Sequence, residues 1–213
     1  KPFREFYTEY IINGIGVSEV IEGYDHGFGR DREAGLSDLL ALGREFKFSV
    51  VAEKPFTAGE EVVSSSRIRS FLSEGAVAKA NRLLGRRFSF SGTVIAGDKR
   101  GKARGYPTAN IAISDPRKIL PRNGVYAVTA SLDGSLHRGL MSIGVVPTFY
   151  ENHPRLCEVF IFDFNKDIYG KNITVECCEW IRGEKKFTSA AELVKEMDKD
   201  TIAGKNIFDN IQQ

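Results

Sequence analysis

The stretch GDKRGKARGYPTANI, residues 97–111, gathers Lys99, Arg100, Lys102 and Arg104 among glycines and runs into Pro107, Thr108 and Asn110. Glycines let backbone N–H groups approach an anion and basic side chains neutralise it, so one reading is a phosphate-binding loop. A solvated surface loop has the same composition and, on charge alone, is the commoner case. The residues after the loop shift the balance. Pro107 blocks a helix, so the segment beyond it is expected to be extended, with Thr108 and Asn110 on one face. That face offers a hydroxyl and an amide oxygen, the hard donors that Mg²⁺ takes alongside water and nucleotide phosphates. The loop is not a GxxxxGK[ST] element, and a strand rather than a helix is expected after it.

A second stretch, RLCEVFIFDF, alternates so that Glu158 shares a face with Leu156, Phe160, Phe162 and Phe164. A carboxylate on an aromatic face is costly unless it is paired or its pKa is raised, the condition a general base for a hydroxyl nucleophile requires. An arginine-paired glutamate at a strand end is the plainer alternative. In WIRGEKKF, Arg182, Lys185 and Phe187 could clamp and stack a planar ligand, or simply form a charged strand-to-helix connection. SSSRIR places hydroxyls, N–H groups and a helix dipole where an anion is favoured. N-capping accounts for one of those serines but not for Arg67 and Arg69 beside them. His26, His137 and His153 have no metal-ligand spacing, and Phe88 and Phe90 read as core.

These stretches need two kinds of scaffold. Up to about residue 85 helices and strands alternate: a helix over FREFYTEYIINGIG, a strand over SEVIEG, a helix built on Leu36, Leu39, Leu40 and Phe46, a strand over FKFSVVAE, then SSSRIRSFLSEG and AVAKANRLLG as helices. Such alternation implies part of a parallel α/β sheet. Beyond Gly85, RFSFSGTVIAG, GVYAVTASL, LHRGLMSIG, RLCEVFIFDF and NITVECCEWI alternate with short turns, and Asp133-Gly134 predicts a tight hairpin. Successive strands of this kind form an antiparallel barrel or sandwich. A C-terminal helix opens at Thr188, with Ser189 and Glu192 as a capping box. The chain therefore divides into 1–85, α/β, and 86–213, β with a closing helix.

A net charge of +2 on 213 residues gives no overall polyanion-binding surface, so any electrostatic specialisation is local. Cys157, Cys177 and Cys178 lack a CxxC spacing, and adjacent Cys177 and Cys178 on a strand point to opposite faces. That favours a reducing, cytoplasmic setting without zinc or disulfides. No apolar run approaches the ~20 residues of a membrane span. The chain opens at Lys1 inside a helical pattern, which fits a truncated or processed fragment.

In this order the stretches resemble the bacterial FAD synthetase family, the bifunctional riboflavin kinase/FMN adenylyltransferases. The similarity runs through GDKRGKARGYPTAN, LPRNGVYAV, SIGVVPTF, LCEVFIFDFNKDIYG and WIRGEKKF, and the combination of PTAN, E-x-x-x-x-D-F and the Tyr169-Gly170 pair is specific. The resemblance implies a six-stranded antiparallel riboflavin-kinase barrel over 86–213, preceded by a partial Rossmann-like nucleotidyltransferase remnant over 1–85. It implies that Gly97 and Lys102 cradle ATP phosphates, that Thr108 and Asn110 hold Mg²⁺ with the nucleotide, and that Tyr169 contacts ATP. Glu158 would take the proton of the riboflavin 5′-hydroxyl, and Arg182, Lys185 and Phe187 would contact the flavin. Asp98 and Lys99 depart from the family's glycine-rich loop. In the first part, Gly23 and Asp25 match a G-x-D loop and Ser65, Ser66 and Arg67 an ATP-phosphate site of the adenylyltransferase half, whose H-x-G-H motif does not occur in this chain.

The implied activity is phosphorylation of riboflavin to FMN, with FMN adenylylation to FAD in the longer parent protein. Its partners would be small molecules, riboflavin and ATP, with no nucleic acid and no membrane. The competing reading is a small-barrel module for single-stranded nucleic acid. A cluster of basic residues in one loop together with a small net charge speaks against it.

Overall fold

A computed structural model of the chain describes residues 1–24, 26–97, 105–115, 117–145 and 155–211. Asp25, the loop residues Lys99, Arg100, Lys102 and Arg104, and His153 lie outside the described residues. The chain forms two compact units, Lys1–Val62 and Val63–Gln213.

In the first unit, helix α1 (Phe3–Phe6) runs into a π-helical segment, Tyr7–Ile15, closed by Gly16. Phe3 and Tyr7 turn inward and meet the Phe28 ring at centroid distances of 5.5 Å each, whereas Phe6 and Tyr10 stay 43% and 44% exposed. Helix α2 (Leu36–Phe46) buries Leu39 and Leu42 in the same cluster. Strands β1 (Glu19–Gly23) and β2 (Ser49–Glu53) pair in parallel, as the helix–strand alternation implies. A small hairpin, β3 (Thr57–Ala58) with β4 (Glu61–Val62), was not expected, because two-residue strands leave no periodicity to read.

The second unit begins with helices α3 (Ser65–Glu74) and α4 (Val77–Leu84). Ser64 caps α3 by accepting the Arg67 N–H at 3.3 Å, and Gly75 ends it in the left-handed region. Leu72, Val77 and Ala80 from this helix pair join the core cluster of the barrel. Asn81 ties α4 to it: its amide donates to the Cys177 carbonyl at 2.9 Å and its oxygen accepts the Phe88 N–H at 2.7 Å.

Six strands follow: β5 (Phe88–Ile95), β6 (Thr108–Ile113), β7 (Gly124–Leu132), β8 (Ser135–Val145), β9 (Arg155–Ile161) and β10 (Asn172–Arg182). They close into an antiparallel barrel in the order β10-β5-β6-β9-β8-β7, with β7 pairing back onto β10. Phe88, Phe90, Val94, Ile111, Tyr126, Met141, Ile143 and Val159 fill the core. The β7–β8 connection is the two-residue turn anticipated from its sequence, with Asp133 and Gly134 both at positive φ (49° and 78°), the geometry that matches strand twist. Cys177 points into the core. Cys178, after a register shift, packs instead with Ala127 and Phe208 of helix α5 (Ala190–Ile211).

Two local expectations are corrected. Alternation in β9 does not continue to Phe164: the strand ends at Ile161, Asp163 adopts φ 53°, and Phe164 swings to pack on the barrel core, 5.1 Å from the His137 ring. The α5 cap is also modified. Ser189 Oγ accepts the Glu192 N–H at 3.2 Å, but the Glu192 carboxylate reaches one residue further back, to the N–H and hydroxyl of Thr188 at 2.9 and 3.0 Å. No helix among the described residues is long and apolar enough to cross a membrane.

Candidate active site

Antiparallel pairing sets the site. On β9, Cys157, Val159 and Ile161 point into the barrel, so Leu156, Glu158 and Phe160 point out. On β6, Ala109 and Ile111 are core, so Thr108 and Asn110 share the outward face. On β8, Met141 and Ile143 face in, and Leu140, Ser142 and Gly144 face out. The registers align these residues in rows: Asn110, Glu158 and Ser142 are direct cross-strand neighbours, and Thr108, Phe160 and Leu140 form the next row. Outward neighbours in such rows lie about 5 Å apart at Cβ, close enough for their side chains to act on one ligand.

A cavity of about 630 Å³ covers these rows, a size suited to a drug-sized ligand. Besides both rows it is lined by Gly97, Tyr169, Arg182, Lys185 and Phe187. The structure therefore gathers the described residues expected of a kinase site in one place, although they span 91 positions (from 97 to 187). Ser65, Ser66 and Arg67 do not line it. They sit exposed at the start of α3, where the Arg67 guanidinium lies 5.7 Å from the Phe71 ring.

Within the cavity, Asn110 is 8% exposed and its Oδ1 is buried with no hydrogen-bond partner among the described residues. A buried amide oxygen without a partner is costly, and one at a cavity wall is open to a ligand hydrogen or a cation that would satisfy its lone pairs. Gly97 packs against the same amide: a Cβ on Gly97 would meet Asn110 Nδ2 at 1.7 Å. Asn110 Oδ1, without a partner among the described residues, and the Thr108 hydroxyl line the same cavity, and both are oxygen ligands of the hard kind that Mg²⁺ accepts.

At the other end, Arg182 Nε and Nη2 donate to Oδ1 and Oδ2 of Asp200 on α5 at 2.8 and 2.7 Å. The Arg182 guanidinium lies 5.9 Å from the Phe187 ring, and Lys185 Nζ 6.0 Å from it. Lys185 also pairs with Glu196 of α5 at 3.2 Å, and hydrogen bonds from Lys199 and then Lys185 hold that carboxyl's pKa below its ordinary value. Tyr106, just before Pro107, donates to Asp198 of α5. Burial, then that bond, raises its pKa.

Sequence reasoning missed several lining residues, among them Asp200, Glu184, Ser142 and Met197. Asp200 carries no motif and reads as one polar position on an amphipathic helix. Ser142 could have been found only by knowing the β8–β9 register. Glu184 lies inside WIRGEKKF, where nothing in its type or spacing separates it from a charged connection. Its Oε2 accepts from Asn123 Nδ2 at 3.0 Å, and Arg155 Nε in turn holds Asn123 Oδ1 at 2.8 Å.

Two family models match the sequence: riboflavin kinase over residues 84–208 and FAD synthetase over residues 2–67. The bifunctional riboflavin kinase/FMN adenylyltransferase of Bacillus subtilis is 36% identical over 212 residues, covering 99% of this chain and 66% of that protein. The protein of the same description in Escherichia coli K12 is 32% identical, covering 96% of this chain and 65% of that protein. A crystal structure described as a macrolide-efflux protein from Streptococcus pneumoniae superposes with a TM-score of 0.81 at 33% identity, covering 96% of this chain and 65% of that one. The chain thus spans just under two thirds of the length of these relatives.

Proposed function

Since the chain belongs to the riboflavin kinase family, we propose that its barrel cavity transfers the γ-phosphoryl group of ATP to the terminal ribityl hydroxyl of riboflavin, yielding FMN and ADP. The observation that carries this reading is the cross-strand row Asn110–Glu158–Ser142, which sets a carboxylate beside a buried amide oxygen with no partner among the described residues. Glu158 accepts the hydroxyl proton as the ribityl oxygen attacks the γ-phosphorus in line, and ADP departs from the opposite side. Such transfers depend chiefly on positioning and charge neutralisation. Gly97 brings its backbone to the phosphates, and Lys102 supplies charge from the same loop. Thr108 and Asn110 would hold Mg²⁺, which supplies neutralisation of the triphosphate when bound. Tyr169 borders the nucleotide, and Arg182, Lys185 and Phe187 hold the isoalloxazine ring.

The functional boundary we assign lies between residues 85 and 86. Ser65, Ser66 and Arg67 belong in this reading to a nucleotide-phosphate site of a second activity, the FMN adenylylation that the relatives' names carry. Small-molecule partners and cytoplasmic residence go with the same assignment. The test is Glu158→Gln, which keeps the shape and removes the base. The expected outcome is a kcat lower by about 10²–10⁴-fold with the KM for riboflavin nearly unchanged; wild-type turnover would remove Glu158 from the mechanism.

A further inference from the structure

The role of Arg182 toward the flavin rests on the function proposed above, and on that basis we propose that Asp200 is the positioning residue that fixes the Arg182 guanidinium for ring recognition. Asp200 is 5% exposed, an expensive place for a carboxylate unless it is fully paired. Both of its oxygens are spent on Arg182, at 2.8 and 2.7 Å. A third Arg182 N–H, on Nη1, donates to the Gly183 carbonyl at 2.9 Å. Three bonds from three different nitrogens hold the guanidinium in one orientation, with two of its five N–H groups unspent among the described interactions. Phe187 flanks it at 5.9 Å.

Helix attachment alone does not call for this pair. The α5 helix is already seated by Phe208, 3% exposed, against Ala127 and Cys178, with Phe162, Ile181 and Ile207 around it. An apolar pair of similar volume at 182 and 200 would hold the helix at least as well. What the ion pair adds is orientation, and it adds it at the cavity wall, since Arg182 and Asp200 both line the space. A guanidinium whose plane is fixed in advance can stack on a flat ring or donate to its edge without first being ordered, which is the advantage arginine holds over lysine. Asp200 acts on the flavin through Arg182 and has no direct chemical task.

The test is a double-mutant cycle on the whole chain: wild type, Asp200→Asn, Arg182→Gln and the combined variant, each with KM for riboflavin, KM for ATP, kcat and melting temperature. Asp200→Asn is expected to raise the riboflavin KM about tenfold while the ATP KM stays within about twofold, and to have no further effect in the Arg182→Gln background. The combined variant removes both charges of the pair and leaves neither unpaired, so it stays folded where either single change is destabilising. Additive effects in the cycle, or riboflavin and ATP KM values rising together with a loss of melting temperature, would overturn the positioning role while leaving the kinase assignment intact. If the wild-type chain forms no FMN at all, the function falls and this proposal falls with it.

Discussion

Replacing Gly97 with alanine tests whether the Asn110 amide is held in place for catalysis. A Cβ there would stand 1.7 Å from Asn110 Nδ2, where ordinary contact begins at 3.4 Å, so the amide must retreat by about half that contact distance. Asn110 is short, branched at the amide and 8% exposed, and its Oδ1 is rigidly coupled to the displaced nitrogen. The oxygen that we assign to Mg²⁺ therefore leaves its position by more than an ångström. Misplacement on that scale costs about 100-fold in a reaction governed by positioning. The fold need not suffer, because the colliding atom is the end of a side chain rather than backbone. Steady-state kinetics with varied ATP at several Mg²⁺ concentrations should show kcat/KM for ATP down about 100-fold and the Mg²⁺ requirement raised, with riboflavin KM little changed. Melting temperature separates this from unfolding. Wild-type kinetics with unchanged Mg²⁺ dependence would refute the assignment of Asn110.

Two further outcomes follow from the barrel itself. Gly134, at φ 78° with open space where a Cβ would go, is needed only for the hairpin turn. Gly134→Ala should cost about 1 kcal/mol and lower the melting temperature by a few degrees without altering kinetics; a kinetic defect would contradict this. The buried thiols set an alkaline limit. Burial pushes Cys157 up to about 11 from its ordinary 9.0, and also raises Cys177 and Cys178. Between those values the unfolded chain has released thiol protons that the folded chain keeps. Stability should therefore fall as pH rises above about 9, by up to about 1.4 kcal/mol per pH unit for each retained proton. Native protein should leave all three cysteines unreactive to a thiol reagent until it is unfolded; rapid native labelling would show that they are not sealed in.

Much of the barrel was legible because its strands carry a period of two and one turn has diagnostic chemistry. Phe88, Phe90 and Val94 reported a buried face, and Asp133-Gly134 reported the hairpin. The pairing of Thr108 with Asn110 followed from Pro107 in the same way. Legibility stopped where geometry is set by partners distant in sequence. Phe164 left the expected face because Asp163 turns the chain, and nothing in FIFDF distinguishes that turn from a continuing strand. Asp200 was invisible because its meaning lies in Arg182, which is 18 residues away and on another element. The row joining Asn110, Glu158 and Ser142 needed two strand registers that no local pattern encodes. Residues that act alone can be found from type and spacing, whereas residues that act through a neighbour need the fold.

The most direct test of the central claim is to incubate the chain with riboflavin, ATP and Mg²⁺ and to resolve riboflavin from FMN over time, with an ADP assay in parallel. The expected result is FMN formed in step with ADP and dependent on Mg²⁺. Riboflavin left unphosphorylated by folded protein at saturating ATP and Mg²⁺ would contradict it.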